Sequence, residues 1–142
     1  TIGQPARAGQ TVVPDPSTYP IRINPGINRG YQEPMLRTDG RLQRNTAASG
    51  VAILRSDRWG ADWNGRAFLP EAAGNLVAAF ALQEDSGRFQ GQQLLWPHSV
   101  YGRQAFLAST DERFRPVDAK LGPDGHLYII DMYRGIIHIV NS

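Results

Sequence analysis

Two stretches, Gly65-Arg-Ala-Phe-Leu-Pro-Glu71 and Gly125-His-Leu-Tyr-Ile-Ile-Asp131, decide the fold. Each carries a glycine, an aromatic residue and an acid at the same places, at a constant shift of 60 positions. Each is short and bounded by turn residues, as β-strands are. The chain therefore contains an internal repeat, and the matching acids at its strand ends predict a structural role for Glu71 and Asp131.

Outward from the first stretch, the chain alternates short apolar pieces with turns. Extended pieces are predicted at residues 50–54, 66–69, 76–82 and 87–90. Alanine in 76–82 favours a helix, but seven residues between Gly74-Asn75 and Asp85-Ser86-Gly87 fit a strand better. Around the second stretch, strands are predicted at 117–121, 126–130 and 135–140.

Four short strands per repeat, with a glycine turn before the second, are typical of propeller blades. The predicted fold class is all-β, a β-propeller fragment of about two four-stranded blades with an extended N-terminal arm. Residues 1–34, which hold six of the ten prolines, form the arm or a long loop, and residues 35–142 form the blades. Blades bury their faces against neighbours, so this pair is incomplete without further polypeptide.

Composition excludes several classes of function. Fourteen of the fifteen basic residues are arginine, but no basic run indicates nucleic-acid binding. The absence of cysteine excludes disulfides, thiolate metal sites and an attachment point for haem c in this chain. No apolar run approaches the roughly 20 residues that span a bilayer, and the first residues lack a signal-peptide layout.

Residues 111–137, beginning Asp111-Glu-Arg-Phe-Arg-Pro-Val and containing Gly122-Pro-Asp-Gly125, resemble a signature of one enzyme family. These are the soluble glucose, aldose and sorbosone dehydrogenases that use pyrroloquinoline quinone. In that family an Arg-x-Arg pair contacts the quinone, so the resemblance implies that Arg113 and Arg115 bind the cofactor. Pro116 departs from the family, which usually has aspartate there.

Residues 48–69 resemble the preceding blade of the same family, and there Arg58, five residues ahead of Trp63, matches a cofactor-facing basic residue. The sequences of both stretches most resemble those of large bacterial membrane-bound-dehydrogenase-like proteins, in which such a propeller is often joined to a cytochrome c domain. The resemblance covers residues 12–142. It implies a periplasmic or secreted protein whose partners are the remaining propeller polypeptide and a cytochrome c domain or subunit.

The quinone is a flat tricarboxylate with an electrophilic carbonyl, which fixed arginines can neutralise and polarise. One residue apart on an extended segment, Arg113 and Arg115 would point to the same side. An alternative is a surface ion-pair cluster with Asp111 and Glu112. The resemblance places the catalytic histidine and the calcium ligands in earlier blades, so it implies no catalytic or metal-binding residue in this chain.

Two functions remain open at this stage. The first is part of a quinone-dependent sugar or alcohol dehydrogenase that passes electrons to a cytochrome. The second is a non-catalytic β-propeller that serves as a binding or assembly module in a larger bacterial envelope complex. The three tryptophans, Trp59, Trp63 and Trp96, could stack a sugar ring or pack between blades.

Overall fold

A computed structural model describes residues 11–12, 17–23 and 35–135. These residues contain β-strands, turns and two short 3₁₀ helices but no α-helix, which confirms the all-β prediction. The strand predicted at 135–140 and most of the predicted arm at 1–34 lie outside the described residues.

The described residues form ten strands: β1 (Thr11–Val12), β2 (Ala52–Ile53), β3 (Ala67–Glu71), β4 (Leu76–Asp85), β5 (Arg88–Leu94), β6 (Trp96–Ser99), β7 (Gly102–Gln104), β8 (Leu107–Ala108), β9 (Pro116–Leu121) and β10 (Leu127–Asp131). The main sheet has the order β1-β5-β4-β3-β2, and β8 pairs with the start of β4. Its neighbours are antiparallel except for the parallel pair β1–β5. Two antiparallel hairpins, β6–β7 and β9–β10, complete the structure.

Strand β4 is the central element of this sheet, and turns define both of its ends. Asn75 and Ser86 have positive φ angles of 56° and 51°, and Gly87 follows at 76°. Chain reversal at these residues limits the apolar segment to a length that suits a strand. The strand predicted at 76–82 is therefore confirmed, and it extends to Asp85.

The internal repeat is visible in the backbone. Strands β3 and β10 begin and end at equivalent positions, and the glycines before them, Gly65 and Gly125, have φ angles of 83° and 81°. Such angles favour glycine because a Cβ atom is disfavoured there. Residues 52–94, with strands β2–β5, are hereafter the first repeat, and residues 115–135, with strands β9 and β10, are the second repeat.

The two repeats differ in the connection that precedes the glycine. In the first repeat the connection from β2 to β3 contains 3₁₀ helices at Asp57–Trp59 and Ala61–Trp63. In the second repeat the hairpin turn is tight, with Gly125 N–H bonded to Gly122 O and Gly122 N–H bonded to His126 O. The longer connection carries two tryptophans onto the sheet.

Alternate residues of β4 face two separate apolar cores, as the strand geometry requires. Leu76, Ala78 and Phe80 contribute to one core, whereas Val77 and Ala79 contribute to the other. The second core also holds Leu54 and Phe68, and it is covered by three residues of the second repeat: Leu121, Leu127 and Ile129. The second repeat therefore packs against one face of the first.

Asp39 and Gly40 form the turn of a further short hairpin. Leu36 pairs with Leu42 across the turn, and Gly40 has a φ of 81°. Ser17 forms a bridge with Arg44, and Thr18 beside it is buried. Residues 17–20 thus contact the outer side of this hairpin.

Candidate functional site

Arg115 lies at the junction between the two repeats and has no exposed surface. Its guanidinium donates to three main-chain carbonyls: Nε to Arg134 O at 2.9 Å, Nη1 to Ala72 O at 2.9 Å and Nη2 to Gly135 O at 2.8 Å. Ala72 follows β3 of the first repeat, whereas the other two carbonyls follow β10 of the second. One side chain therefore connects the ends of two equivalent strands.

This arrangement makes chemical sense for arginine. Its planar guanidinium offers five N–H donors in a fixed geometry, so it can satisfy several carbonyls at once. A buried charge is costly unless it is hydrogen-bonded, and the carbonyl oxygens provide that compensation. The main-chain N–H of Arg115 also donates to Asp131 Oδ1 at 2.8 Å. The observed bonds give Arg115 a structural task at this junction.

Arg113 occupies a different environment. Residues 111–114 form a turn, in which Phe114 N–H donates to Asp111 O and Arg113 N–H donates to Asp111 Oδ1. The Arg113 side chain is exposed while Arg115 is buried. The expectation that both guanidinium groups point to one side is therefore wrong, because the segment turns instead of being extended. Cofactor binding by the two residues stays a prediction.

The carboxylates beside the pair bind elsewhere. Glu112 forms an ion pair with Arg22 at 2.8 Å. Asp111 accepts a hydrogen bond from Tyr133 Oη at 3.0 Å. The hydrogen bond from the Arg113 backbone N–H, which is the largest cause, and the one from the Tyr133 hydroxyl lower the pKa of Asp111. Asp111 thus joins this surface turn to the segment after β10, whereas Glu112 joins it to Arg22.

Arg58 lies on the 3₁₀ helix Asp57–Trp59, and its aliphatic part contacts the β9–β10 turn. A Cβ atom on Gly125 would come within 2.8 Å of Arg58 Cδ. The neighbouring Trp59 Nε1 donates to Gly125 O at 2.9 Å. Arg58 thus approaches the start of β10 and Arg115 its end, roughly 13 Å apart along the strand. The structure does not bring the predicted cofactor residues into one cluster.

The acids at the ends of β3 and β10 have matching tasks, which confirms the structural role predicted for them. Glu71 accepts from Ala73 N–H at 3.2 Å, and Asp131 accepts from Tyr133 N–H at 2.8 Å, each two residues further on. Glu71 also accepts from Ala47 N–H at 3.0 Å. Each carboxylate therefore joins its own strand end to an earlier segment of the chain.

Glu71 is a buried carboxyl group with a raised pKa. It is completely buried, and burial raises its pKa to about 7. Backbone N–H groups, those of Ala47 and Ala73 first, lower the pKa but do not offset the loss of hydration. Glu71 is consequently expected to change its protonation state near neutral pH.

Aromatic residues form a cluster above the second core. Trp59, Trp63 and Phe68 contact one another at centroid distances of 5.7–6.3 Å, and Phe106 touches all three. Trp96 stacks on Phe106 at 6.5 Å but is 47% exposed. Packing between repeats thus accounts for Trp59 and Trp63, as one of the two interpretations expected. The sequence did not predict that Phe106 joins this cluster, because its position depends on how the segment from β6 to β8 folds back onto the sheet.

Two cavities open beside this cluster. The larger, about 550 Å³, is lined by Gln83, Gln90, Gly91, Gln92, Gln93, Leu95, Pro97 and Arg103. The smaller, about 180 Å³, is lined by Trp63, Arg66, Leu94, Leu95, Trp96 and Phe106. Leu95 lines both, so the cavities adjoin. Neither was predicted from the sequence, in which the glutamines appear only as polar strand residues.

The described residues were searched for clusters of metal-ligating side chains and for helices that could span a membrane. No group of three or more histidine, cysteine, aspartate or glutamate side chains within residues 11–12, 17–23 and 35–135 could hold a metal ion. No helix in the same part of the chain is long and apolar enough to cross a bilayer.

Comparison with known proteins identifies one family. The sequence model described as "Domain of unknown function (DUF7133)" matches residues 4–140, which is nearly the whole chain. No curated protein matches the sequence, and no solved structure matches the fold.

Proposed function

The chain belongs to the DUF7133 family, and we propose that it is a non-catalytic portion of a β-propeller that serves as an assembly or binding module. In this proposal each repeat covers the face of the repeat before it. Further polypeptide of the same propeller covers the last one.

The comparison of equivalent residues carries this proposal. In the first repeat Phe68, Pro70, Ala72 and Ala73 are all buried. Their counterparts in the second repeat, at a shift of 60, are Tyr128, Ile130, Met132 and Tyr133, which are 54%, 54%, 43% and 56% exposed. Positions that are buried in the first repeat therefore carry large, exposed apolar or aromatic side chains in the second.

The reason why these positions differ in exposure supports the proposal that further polypeptide covers the second repeat. Phe68 is buried because Leu127 and Ile129 of the second repeat pack against its core. Ala72 receives Arg115 from the second repeat. If another repeat followed, its equivalent residues would cover Tyr128 and Ile130 in the same way. Exposed apolar groups of this kind usually mark an interaction surface.

The test is a charge placed on this surface in the intact protein. Ile130→Lys should lower the free energy of unfolding by about 2–3 kcal/mol, because a covered isoleucine loses its burial and a lysine gains no partner. Val100→Lys is the matched control, since Val100 is an apolar residue that is 93% exposed in the β6–β7 turn. Equal, small effects of both variants would contradict the proposal.

A quinone-dependent dehydrogenase is the second candidate. The observation that favours it is the exposed side chain of Arg113, which is accessible to a ligand, together with the sequence resemblance. Arg115, by contrast, would act there as a support because its guanidinium binds carbonyls. Denaturation of the intact protein should then release pyrroloquinoline quinone, detected by absorbance and mass. If the purified protein contains no quinone and also fails to bind added quinone, the dehydrogenase candidate is rejected and the assembly or binding module remains.

A further inference from the structure

One face of the main sheet changes character along β4 and β5. The residues of this face form cross-strand pairs, which are Ala79 with Leu94, Ala81 with Gln92, and Gln83 with Gln90. Near β3 the face is apolar and belongs to the second core. Toward the β4–β5 turn it becomes a row of amides. The packing of the second repeat covers only the apolar part, since its Leu127 and Ile129 contact the core there.

The larger cavity lies beside the polar part of this face and the smaller one beside its apolar part, and they adjoin at Leu95. Together they are here called the Gln–Trp groove. Its polar end is lined by Gln83, Gln90 and Gln92, with Gln93 beside them. Its aromatic end is lined by Trp63, Trp96 and Phe106. The larger cavity, about 550 Å³, has the size of ordinary small-molecule sites, which run from roughly 300 to 1,000 Å³.

The amides indicate a ligand rich in hydroxyl groups. Each glutamine side chain offers both a carbonyl acceptor and an NH₂ donor, and a hydroxyl likewise donates and accepts. From Gln90 to Leu94 the strand rises roughly 13 Å, which is longer than a single sugar ring. At the aromatic end the half-exposed Trp96 offers a flat apolar surface next to Phe106. Such a surface suits the C–H face of a ring.

The charges of the groove indicate an anion. Arg66 lies at the aromatic end, 4.3 Å from the Trp63 ring centroid, and Arg103 lies at the polar end. Neither arginine side chain has an ion-pair partner within the part of the chain that the structure describes. The described lining contains no carboxylate. Arginine binds carboxylates with two parallel hydrogen bonds, so both positions favour acidic substituents.

We infer that the Gln–Trp groove binds an acidic oligosaccharide. The amides hold sugar hydroxyls, Trp96 stacks on a sugar ring, and Arg66 and Arg103 bind carboxylates on separate sugar units. This inference goes beyond the proposed function and does not depend on it, because the described lining of the groove includes no residue of β10.

The inference is tested by titrating the intact protein with a short oligogalacturonate and with a neutral maltooligosaccharide of equal length. Calorimetry and tryptophan fluorescence report binding. The oligogalacturonate should bind, and more weakly as salt is raised, because salt screens exposed charges. Arg103→Gln should weaken this binding roughly ten-fold, the usual effect of losing one charge-assisted hydrogen bond.

A matched control is Arg88→Gln, which removes an exposed arginine on β5 that does not line the groove. It should leave the affinity unchanged. Trp96→Ala should weaken binding of the oligogalacturonate as well, through loss of stacking. The inference is overturned if the intact protein binds no oligogalacturonate, if the neutral oligosaccharide binds equally well, or if Arg103→Gln and Arg88→Gln have the same affinity as the unaltered protein.

Discussion

In the first repeat Glu71 closes strand β3 without any contact with solvent, whereas in the second repeat Asp131 closes β10 at an exposed position. Both carboxylates cap the N–H group two residues further on, and both follow a strand that a glycine of positive φ precedes. The local motif is therefore the same. The two carboxylates differ in burial because the second repeat of the same chain covers the first repeat, whereas no described residues cover the second in the same way.

The comparison shows that the burial of these strand-end residues depends on packing between the repeats and not on the local structure of one repeat. Arg115 shows the same relation, because it belongs to the second repeat but satisfies Ala72 O of the first. A residue that looks like a surface arginine in its own hairpin thus becomes an internal support for the preceding one. Variants at equivalent or neighbouring positions can separate the contribution of the local motif to stability from the contribution of packing between repeats.

The largest difference is expected between Arg115 and Arg113. Arg115→Met should lower the free energy of unfolding by about 3–5 kcal/mol, because it removes three buried hydrogen bonds from the guanidinium to main-chain carbonyls. Arg113→Met changes an exposed residue in a turn and should stay within about 0.5 kcal/mol. Denaturant titration of the intact protein measures both. Similar values for the two variants would mean that the Arg115 bonds do not support the junction.

The buried acid should make stability depend on pH. The folded protein raises the Glu71 pKa from 4.5 to about 7, so it holds the proton more tightly than the unfolded chain does. The resulting stabilisation is complete below about pH 4.5 and is lost as the pH rises through about 7. Its size is about 3 kcal/mol, at roughly 1.4 kcal/mol per pKa unit.

Glu71→Gln should remove this loss of stability between about pH 4.5 and 7, as measured by unfolding at a series of pH values. Asp131→Asn is the control at the equivalent position, and it should leave the pH dependence in place because Asp131 is exposed. An unaltered pH profile in Glu71→Gln would assign the dependence to another group.

The smallest difference is expected between the two glycines. Gly65→Ala places a Cβ at positive φ but in open space, which should cost about 1–2 kcal/mol of folding stability. At Gly125 the added Cβ would also meet Ser56 Oγ at 2.6 Å and Arg58 Cδ at 2.8 Å. Gly125→Ala should therefore cost about 1 kcal/mol more, from crowding. Equal melting curves would show that the 3₁₀ segment adapts to the methyl group.

Much of the fold could be predicted from local sequence signals. Turn residues on both sides of 76–82 decided for a strand over a helix, and the shift of 60 identified equivalent strands and acids. The orientation of Arg113 and Arg115 could not be predicted, because the Asp111 carboxylate folds the preceding residues into a turn. The Gln–Trp groove could not be predicted either, since Arg66 and Arg103 reach its two ends only after the sheet and the β6–β7 hairpin are in place.

The bond from Arg115 to Ala72 O has a consequence for the order of folding. It spans 43 positions in sequence, and closing so long a loop costs more conformational entropy than forming either hairpin. Contacts between distant residues form slowly, so the hairpins precede their docking. Until Arg115 docks, the Ala72 carbonyl accepts the local hydrogen bond from Asn75 N–H at 3.4 Å, and water takes the place of the arginine donor. The turn between β3 and β4 therefore completes its desolvation only when a segment made later in synthesis has docked on it.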